Sequence, residues 1–362
     1  MIAEITLWVL AAWALKSIIL FASQNGLLKF LEQTQRNNSF PNGVPIRLYL
    51  TGIGWLDKRL KNVLGFIWPF AAGHRPDLSL VGLALVGAFG STWFLIVMES
   101  LRVGNQGTWA SHIMIPGVFI FDHSQGLMMP LYFLFHLYVV PERGSLTIDS
   151  IDARAIVASF VVGYLLPIGA HALPAPSMIA VARKQTLVGW YQLWHIYIFV
   201  CHLAFAQVFQ HFFDPVSTTI WYHRLMYLFA FSLAALPHIC VLFLSTLSAI
   251  YPRLFAKDVA TRIHPRSVFN LESPWSGKKA PSLDEGLKWL LQWDVLISSL
   301  AVLTWSLALL VRCHTNLGQS IHWGSLVAKI IVASLISSPA GAAVLLMWER
   351  DEMVLGMSRI ES

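Results

Sequence analysis

The sequence predicts an all-α, polytopic transmembrane bundle of about eight spans, and three observations carry that expectation. Of the 362 residues, 56% are hydrophobic and only 12% charged, against about 25% charged in average soluble domains. The apolar residues gather into runs of about 20, the length that crosses hydrocarbon as a helix. The basic residues fall mainly between those runs. A soluble fold of this length needs a more polar exterior than this chain can supply.

The expected spans are 2–22, 79–101, 112–140, 154–173, 190–213, 224–250, 289–312 and 325–348, forming one integral-membrane domain over 1–362. The first, MIAEITLWVLAAWALKSIILFA, has no basic n-region and no small-residue cleavage site, so it reads as a retained span. The third holds Pro116, Gly117, Gly126 and Pro130 and is too long for one straight helix. A broken or strongly tilted helix is expected there, tolerated at membrane depth only where protein or a water-filled cavity surrounds it. The loop 23–78 contains LLKFLEQTQR, an amphipathic helix suited to the interface. It also contains NVLGFIWPFAAG, apolar but too short to span, which reads as a re-entrant piece or a segment packed on the bundle. The loop 251–288 ends at Ser282 with Glu285 three residues on, a capping box that starts the seventh helix. Trp289 and Trp293 fit an interfacial belt. With eight spans both termini share a face. The loops of the two faces then carry nearly equal Lys and Arg, so the positive-inside rule gives no direction.

The net charge is +6. Because the basic residues lie between apolar runs, anionic lipid headgroups are the expected partner rather than nucleic acid. Cys201, Cys240 and Cys313 lie in or beside apolar spans with no CxxC pair, so no disulfide framework or zinc site is indicated. No metal and no cofactor is expected. Di-iron histidine boxes, the DDxxD, NDxxD and DxDD motifs of metal-bound diphosphate chemistry, and a P-loop are all absent from the sequence.

Ionisable groups inside spans are costly, about 2.5–3.5 kcal/mol when charged at the centre, and are functional hypotheses by default. Glu99, near the end of the second span, has Arg102 one turn later. It reads either as an ion pair fixing the helix end or as an acid facing an internal cavity. A close arginine favours the ionised carboxylate, whereas a proton donor must be neutral. An acid role therefore requires Arg102 to point elsewhere or to bind a substrate oxygen. Asp122 and His123, at the expected break in the third span, form either a proton relay or a half-helix cap. Asp294, two turns past the capping box, reads as an interfacial, solvated carboxylate. The fifth span carries a stripe of Tyr191, His195, Phe199, His202, Phe205 and Phe209 at helical spacing. That stripe is either a cation-stabilising wall or an ordinary helix interface. His171 after Pro167 and His238 after Pro237 suit the carbonyls that proline kinks set free.

The stretch WPFAAGHRPDLSL…STWFLIVMESLRVGN, over 68–105, resembles the fungal integral-membrane terpene cyclases of meroterpenoid pathways. The ascofuranone and ascochlorin type is the nearest group, with the macrophorin-type cyclase nearby. The chain departs from that pattern at Ala72, where the family has an acidic residue before the glycine. The resemblance implies a metal-independent, isomerase-type cyclase that protonates the terminal epoxide, or sometimes an olefin, of a farnesyl chain on an aromatic head. It implies Glu99 as general acid, with Asp122 as the second carboxylate, an alternative donor or a proton relay. Beside them, Arg102 and Asn105 are candidates for positioning the head or Glu99. Trp93, Tyr191, His195, Phe199 and His202 are candidates for stabilising the cation. The bilayer and a prenylated aromatic epoxide are then the partners, with other enzymes of the pathway in the same membrane, and the endoplasmic reticulum is the location that goes with this reading. The 15 Trp, 9 Tyr and 22 Phe suit carbocation chemistry, which needs aromatic walls and excluded water.

Two other classes stand beside it. His195 and His202 lie seven residues apart on one face, with His136, His171 and His238 on other helices, a set from which paired haem ligands are drawn. Intramembrane acids and a broken span also suit a proton-coupled transporter or a membrane scaffold.

Overall fold

The computed structural model describes residues 1–112, 114, 117, 123–213 and 220–357. Among them the regular structure is helical, with one isolated bridge between Ser39 and Pro45 and no strand. The helices are α1 (Ile2–Gln24), α2 (Leu27–Asn37), α3 (Gly54–Ala71), α4 (Pro76–Leu101), α5 (Gln125–Val139), α6 (Ser150–Ala172), α7 (Val181–Tyr191), α8 (Trp194–Phe212), α9 (Ile220–Ile250), α10 (Lys257–Ile263), α11 (Leu283–Asn316) and α12 (Trp323–Met357). Six of these, α1, α4, α6, α9, α11 and α12, are long and apolar enough to cross a membrane. The pair α7 and α8, bent by 67°, makes a seventh.

Polar contacts at the helix ends sort them onto two faces. On one, Glu4 of α1 lies 3.7 Å from Arg312 of α11, and Arg312 donates to the Leu137 carbonyl of α5 at 2.9 Å. We call this the terminal face. On the other, the loop face, Arg75 before α4 meets Glu285 of α11 at 2.8 Å, and Lys279 donates to the Gln24 carbonyl at the end of α1. There Asp77 and Glu285 hold the Arg75 guanidinium in its charged form by ion-paired hydrogen bonds. Helix α4 runs from the loop face to the terminal face. The Val103 and Gly104 amides beyond it pair with the Thr147 and Ser145 carbonyls, and these lie just past α5. So α4 and α5 end on the same face. Helix α5 begins in the interior, where the Gly126 amide meets Asp294 beside Ile18.

Of the expected third span, the described part is the half-helix α5, and residues 113, 115, 116 and 118–122 lie outside the described residues. The expected eighth span folds back on itself. Ser338 in α12 has φ +72° and ψ 163°, and the chain turns back there. Lys329 of the first arm bridges Glu349 of the second at 2.8 Å, and Leu326 and Leu346 share one apolar cluster with Leu310. Pro339 cannot donate to the Leu335 carbonyl one turn back, and the ring Nε2 of His238 on α9 occupies that carbonyl at 3.2 Å. The kink-satisfying role expected of His238 is real, but it acts across helices. Arg224 to Glu352 (2.6 Å) fixes the return arm to the terminal-face end of α9. By length, apolar composition and the faces on which they end, the candidate crossings among the described residues are α1, α4, α6, the bent α7–α8 pair, α9 and α11, against an expected count of about eight.

Local signals explain several boundaries. The Ser282 hydroxyl accepts the Glu285 amide at 3.3 Å and opens α11 as the capping box requires. Helix α2 is the expected amphipathic helix, burying Leu27, Leu31 and Thr34. The apolar segment after Asn62 forms the second half of α3, packed on the bundle and ended by Gly73 at φ +81°. Helix α6 carries a π-turn at Val161–Leu165, just before Pro167. Its Gly163 is a close approach: a Cβ there would stand 2.8 Å from the Ile198 amide nitrogen of α8. Trp289 stacks on Phe21 at 5.8 Å, and Trp293 donates to the Glu272 carbonyl. Both are buried in protein and do not form the expected interfacial belt.

Candidate active site

A cavity of about 440 Å³ opens among α1, α3, α4, α6 and α11, floored by the start of α5 and the break between α7 and α8. Both irregular backbone segments thus face the cavity, as membrane depth demands. The wall is largely apolar and aromatic, with Phe66, Phe70, Phe89, Tyr164, Tyr191 and Trp194. Trp194 meets Phe89 and Tyr164 edge-on at 4.9 and 5.3 Å. Towards the loop face the lining becomes polar at Arg59, Asn62 and His171. Asn62 is exposed there, and Ile19 and Leu28 are exposed apolar residues on the same rim.

The start of α3, which carries Arg59 and Asn62, is held by Asp57. Burial pushes the Asp57 carboxyl up, but the Thr51 amide and hydroxyl, with the Leu50 and Gly52 amides, outweigh it and hold it below the usual carboxylate range.

At the inner end stands Asp294, 6% exposed. Its Oδ1 accepts the Gly126 amide at 2.5 Å, and the Ser124 hydroxyl hydrogen-bonds the same carboxyl. Among the described residues it has no ion pair with Lys or Arg. Gln125 lines the same end and is 4% exposed, and among the described residues neither its Oε1 nor its Nε2 has a hydrogen-bond partner. Asp294 was expected to be solvated. Its burial comes from the docking of α1 and of the α5 N-terminus over it, contacts that no local pattern announces.

Glu99 lies outside this lining, in a closed charge cluster at the terminal face. Its Oε1 accepts Arg102 Nε at 2.5 Å and Arg350 Nη2 at 2.7 Å. Asp351 accepts Arg102 at 2.9 Å, Arg350 at 2.9 Å and the Tyr227 hydroxyl at 2.8 Å. The cluster holds two carboxylates and two guanidiniums, and Glu99 and Arg102 are each only 1% exposed. Arg102 points at Glu99, so the condition set for an acid role is not met. Asn105 donates to the Glu99 backbone carbonyl at 2.7 Å.

The aromatic stripe divides. Tyr191 and His195 reach the cavity. His202 pairs with Asp152 of α6 at 3.2 Å, and Phe199 is half-buried off the lining. Trp93 stands behind the wall, edge-on to Trp194 at 5.1 Å. Of the other histidines, His123 and His171 line the same cavity as His195, whereas His136 accepts the Trp305 indole N–H at 3.1 Å and His238 sits at the α12 kink. Asp122 lies outside the described residues.

A sequence profile of the CtvD domain matches residues 3–355. The chain belongs to the CtvD-domain family. Terpene cyclase ascI of Acremonium egyptiacum is 29% identical over 95% of this chain and 89% of its own length. Terpene cyclase sdgD of Emericella nidulans is 26% identical over 96% and 94%, and terpene cyclase penA of Penicillium crustosum 28% over 94% and 93%. The CtvD relatives thus cover nearly the whole chain and are enzymes by name. No solved structure matches it.

Proposed function

We propose that this CtvD-family chain is a membrane-embedded, metal-independent cyclase of a prenylated aromatic meroterpenoid, with Asp294 as the proton donor. One observation carries the reading: Asp294 is a buried carboxyl without a cation partner, placed at the inner end of an aromatic cavity. The volume falls within the roughly 300–1,000 Å³ of small-molecule sites. Asp294 is ten residues past Asp284 at the loop face, a depth of about 15 Å at 1.5 Å per residue. That depth is comparable to an extended farnesyl chain. A substrate lying with its polar head near Arg59 and Asn62 therefore brings its far terminus to the acid.

In the proposed step Asp294 gives its proton to the terminal epoxide oxygen. The C–O bond at the more substituted carbon breaks, and the neighbouring alkene captures the cation. A proton lost at the end of the cascade returns the carboxyl to its starting form, so substrate and product are isomers. Oδ1 is held by the Gly126 amide, which leaves Oδ2 to carry the proton. Tyr191, Trp194 and Phe89 line the cavity, and the π faces of such rings stabilise a passing cation. In this reading the Glu99 cluster holds α4, α9 and α12 together and touches no substrate.

Microsomes bearing the protein, with EDTA and a farnesylated phenol carrying a terminal epoxide, test the proposal. An isobaric product of new retention, absent from control membranes and lost in Asp294→Asn, supports it. Wild-type turnover retained in full by Asp294→Asn removes Asp294 from the chemistry.

A further inference from the structure

Gln125 lines the inner end of the cavity beside Asp294, and the proposed step gives it no part. Its carboxamide has two donors and one acceptor, and a buried amide without partners is costly. Such groups are nearly always satisfied, so an unsatisfied one on a cavity wall marks where a ligand completes the bonding. Its neighbour on the chain, Gly126, holds Asp294, so the amide and the acid share one end of the cavity. Beside them the lining holds Ile18 and Leu290, which are apolar, and Ser124 and His123, of which Ser124 hydrogen-bonds the Asp294 carboxyl.

We propose that Gln125 selects for an oxygen at the reacting end of the prenyl chain. An epoxide oxygen, or the hydroxyl that ring opening leaves, accepts from the Gln125 Nε2 while Asp294 approaches the same atom. A terminal olefin offers neither a donor nor an acceptor and leaves the amide stranded. Binding sites built on a polar contact reject the analogue that lacks it far more strongly than apolar pockets reject size changes. The substrate class is thus an oxygenated prenyl terminus, and Gln125 acts as a positioning residue. This inference rests on the cavity being the substrate site.

The test separates binding from turnover. The purified protein in nanodiscs is titrated with two unreactive farnesylated phenols, one ending in a tertiary alcohol and one in the saturated hydrocarbon. Fluorescence of the cavity tryptophan Trp194 and its neighbours gives the readout. The expected wild-type preference for the alcohol is about tenfold, the worth of a hydrogen bond of about 1.4 kcal/mol. In Gln125→Met, of similar length but without the amide, the preference falls to about one while hydrocarbon affinity is kept. Gln125→Asn, which retains the amide on a shorter stem, recovers part of it. Equal wild-type affinity for both ligands, or an unchanged preference in Gln125→Met, overturns the proposal. Alcohol selectivity that survives in a protein without cyclase activity upholds the role of Gln125 and counts against the cyclase reading alone. If neither ligand binds, both fall.

Discussion

Replacing Glu99 with Gln distinguishes a structural clamp from a catalytic acid. The wild-type cluster balances Glu99 and Asp351 against Arg102 and Arg350, all nearly inaccessible to solvent. Glu99→Gln leaves two guanidiniums facing one carboxylate. Removing one member of a buried ion pair costs about 3–5 kcal/mol, because the uncompensated charge stays buried. At about 2 °C per kcal/mol, the scale for larger domains, the midpoint falls by about 6–10 °C. The assay is thermal unfolding of the detergent-solubilised protein, alongside microsomal turnover per folded molecule. The double variant Glu99→Gln with Arg350→Gln restores neutrality around the Arg102–Asp351 pair and is expected to regain at least half of the loss. A Glu99→Gln protein with a wild-type midpoint and no turnover refutes this reasoning and returns Glu99 to the role of acid.

The other expectations are narrower. Asp294→Asn lowers turnover by about 10²–10⁴-fold, the usual contribution of a general acid, with the thermal midpoint of a folded protein. Gly163→Val drives side-chain atoms into the α8 backbone and destabilises by about 1–3 kcal/mol or more, read as lost detergent-solubilised yield. Asp57 has a folded value below its unfolded one, so its contribution is complete above the unfolded value of 3.8 and disappears as pH falls through the folded value. An Asp57→Asn variant therefore unfolds with a weaker pH dependence below about pH 4 than wild type does, followed by tryptophan fluorescence.

The membrane class was legible because composition and run length report it directly. So was the start of α11, where Ser282 and Glu285 are local to one turn. Hydropathy measures how long an apolar run is and not whether it returns, so α12 looked like a crossing. The turn of α12 rests on Ser338 and Pro339 inside an otherwise continuous run. The Glu99–Arg102 spacing was readable, but Arg350 and Asp351 reach that pair from about 250 positions away. The stripe on α8 was correct in phase, yet the bend at Gln192 sends only Tyr191 and His195 to the cavity. Gln125 carried no signal, since an unsatisfied amide is visible only once its surroundings are known.

The faces on which α5 and α12 end also decide how charge is distributed across the bilayer. Because α5 ends on the face where α4 ends and α12 turns back, the segments 25–75, 173–180 and 251–282 share one side, and they hold 13 of the 25 Lys and Arg. The near-tie expected from eight spans becomes an asymmetry, and by the positive-inside rule the loop face is the side expected to face the cytosol. A protease site inserted after Gly277 is expected to be cut in sealed microsomes, whereas one at Gly318 is protected. The polar rim at Arg59 and Asn62 would then open to the cytosolic leaflet. The exposed Ile19 and Leu28 on that rim give an apolar ligand dissolved in the leaflet a greasy edge at the cavity mouth.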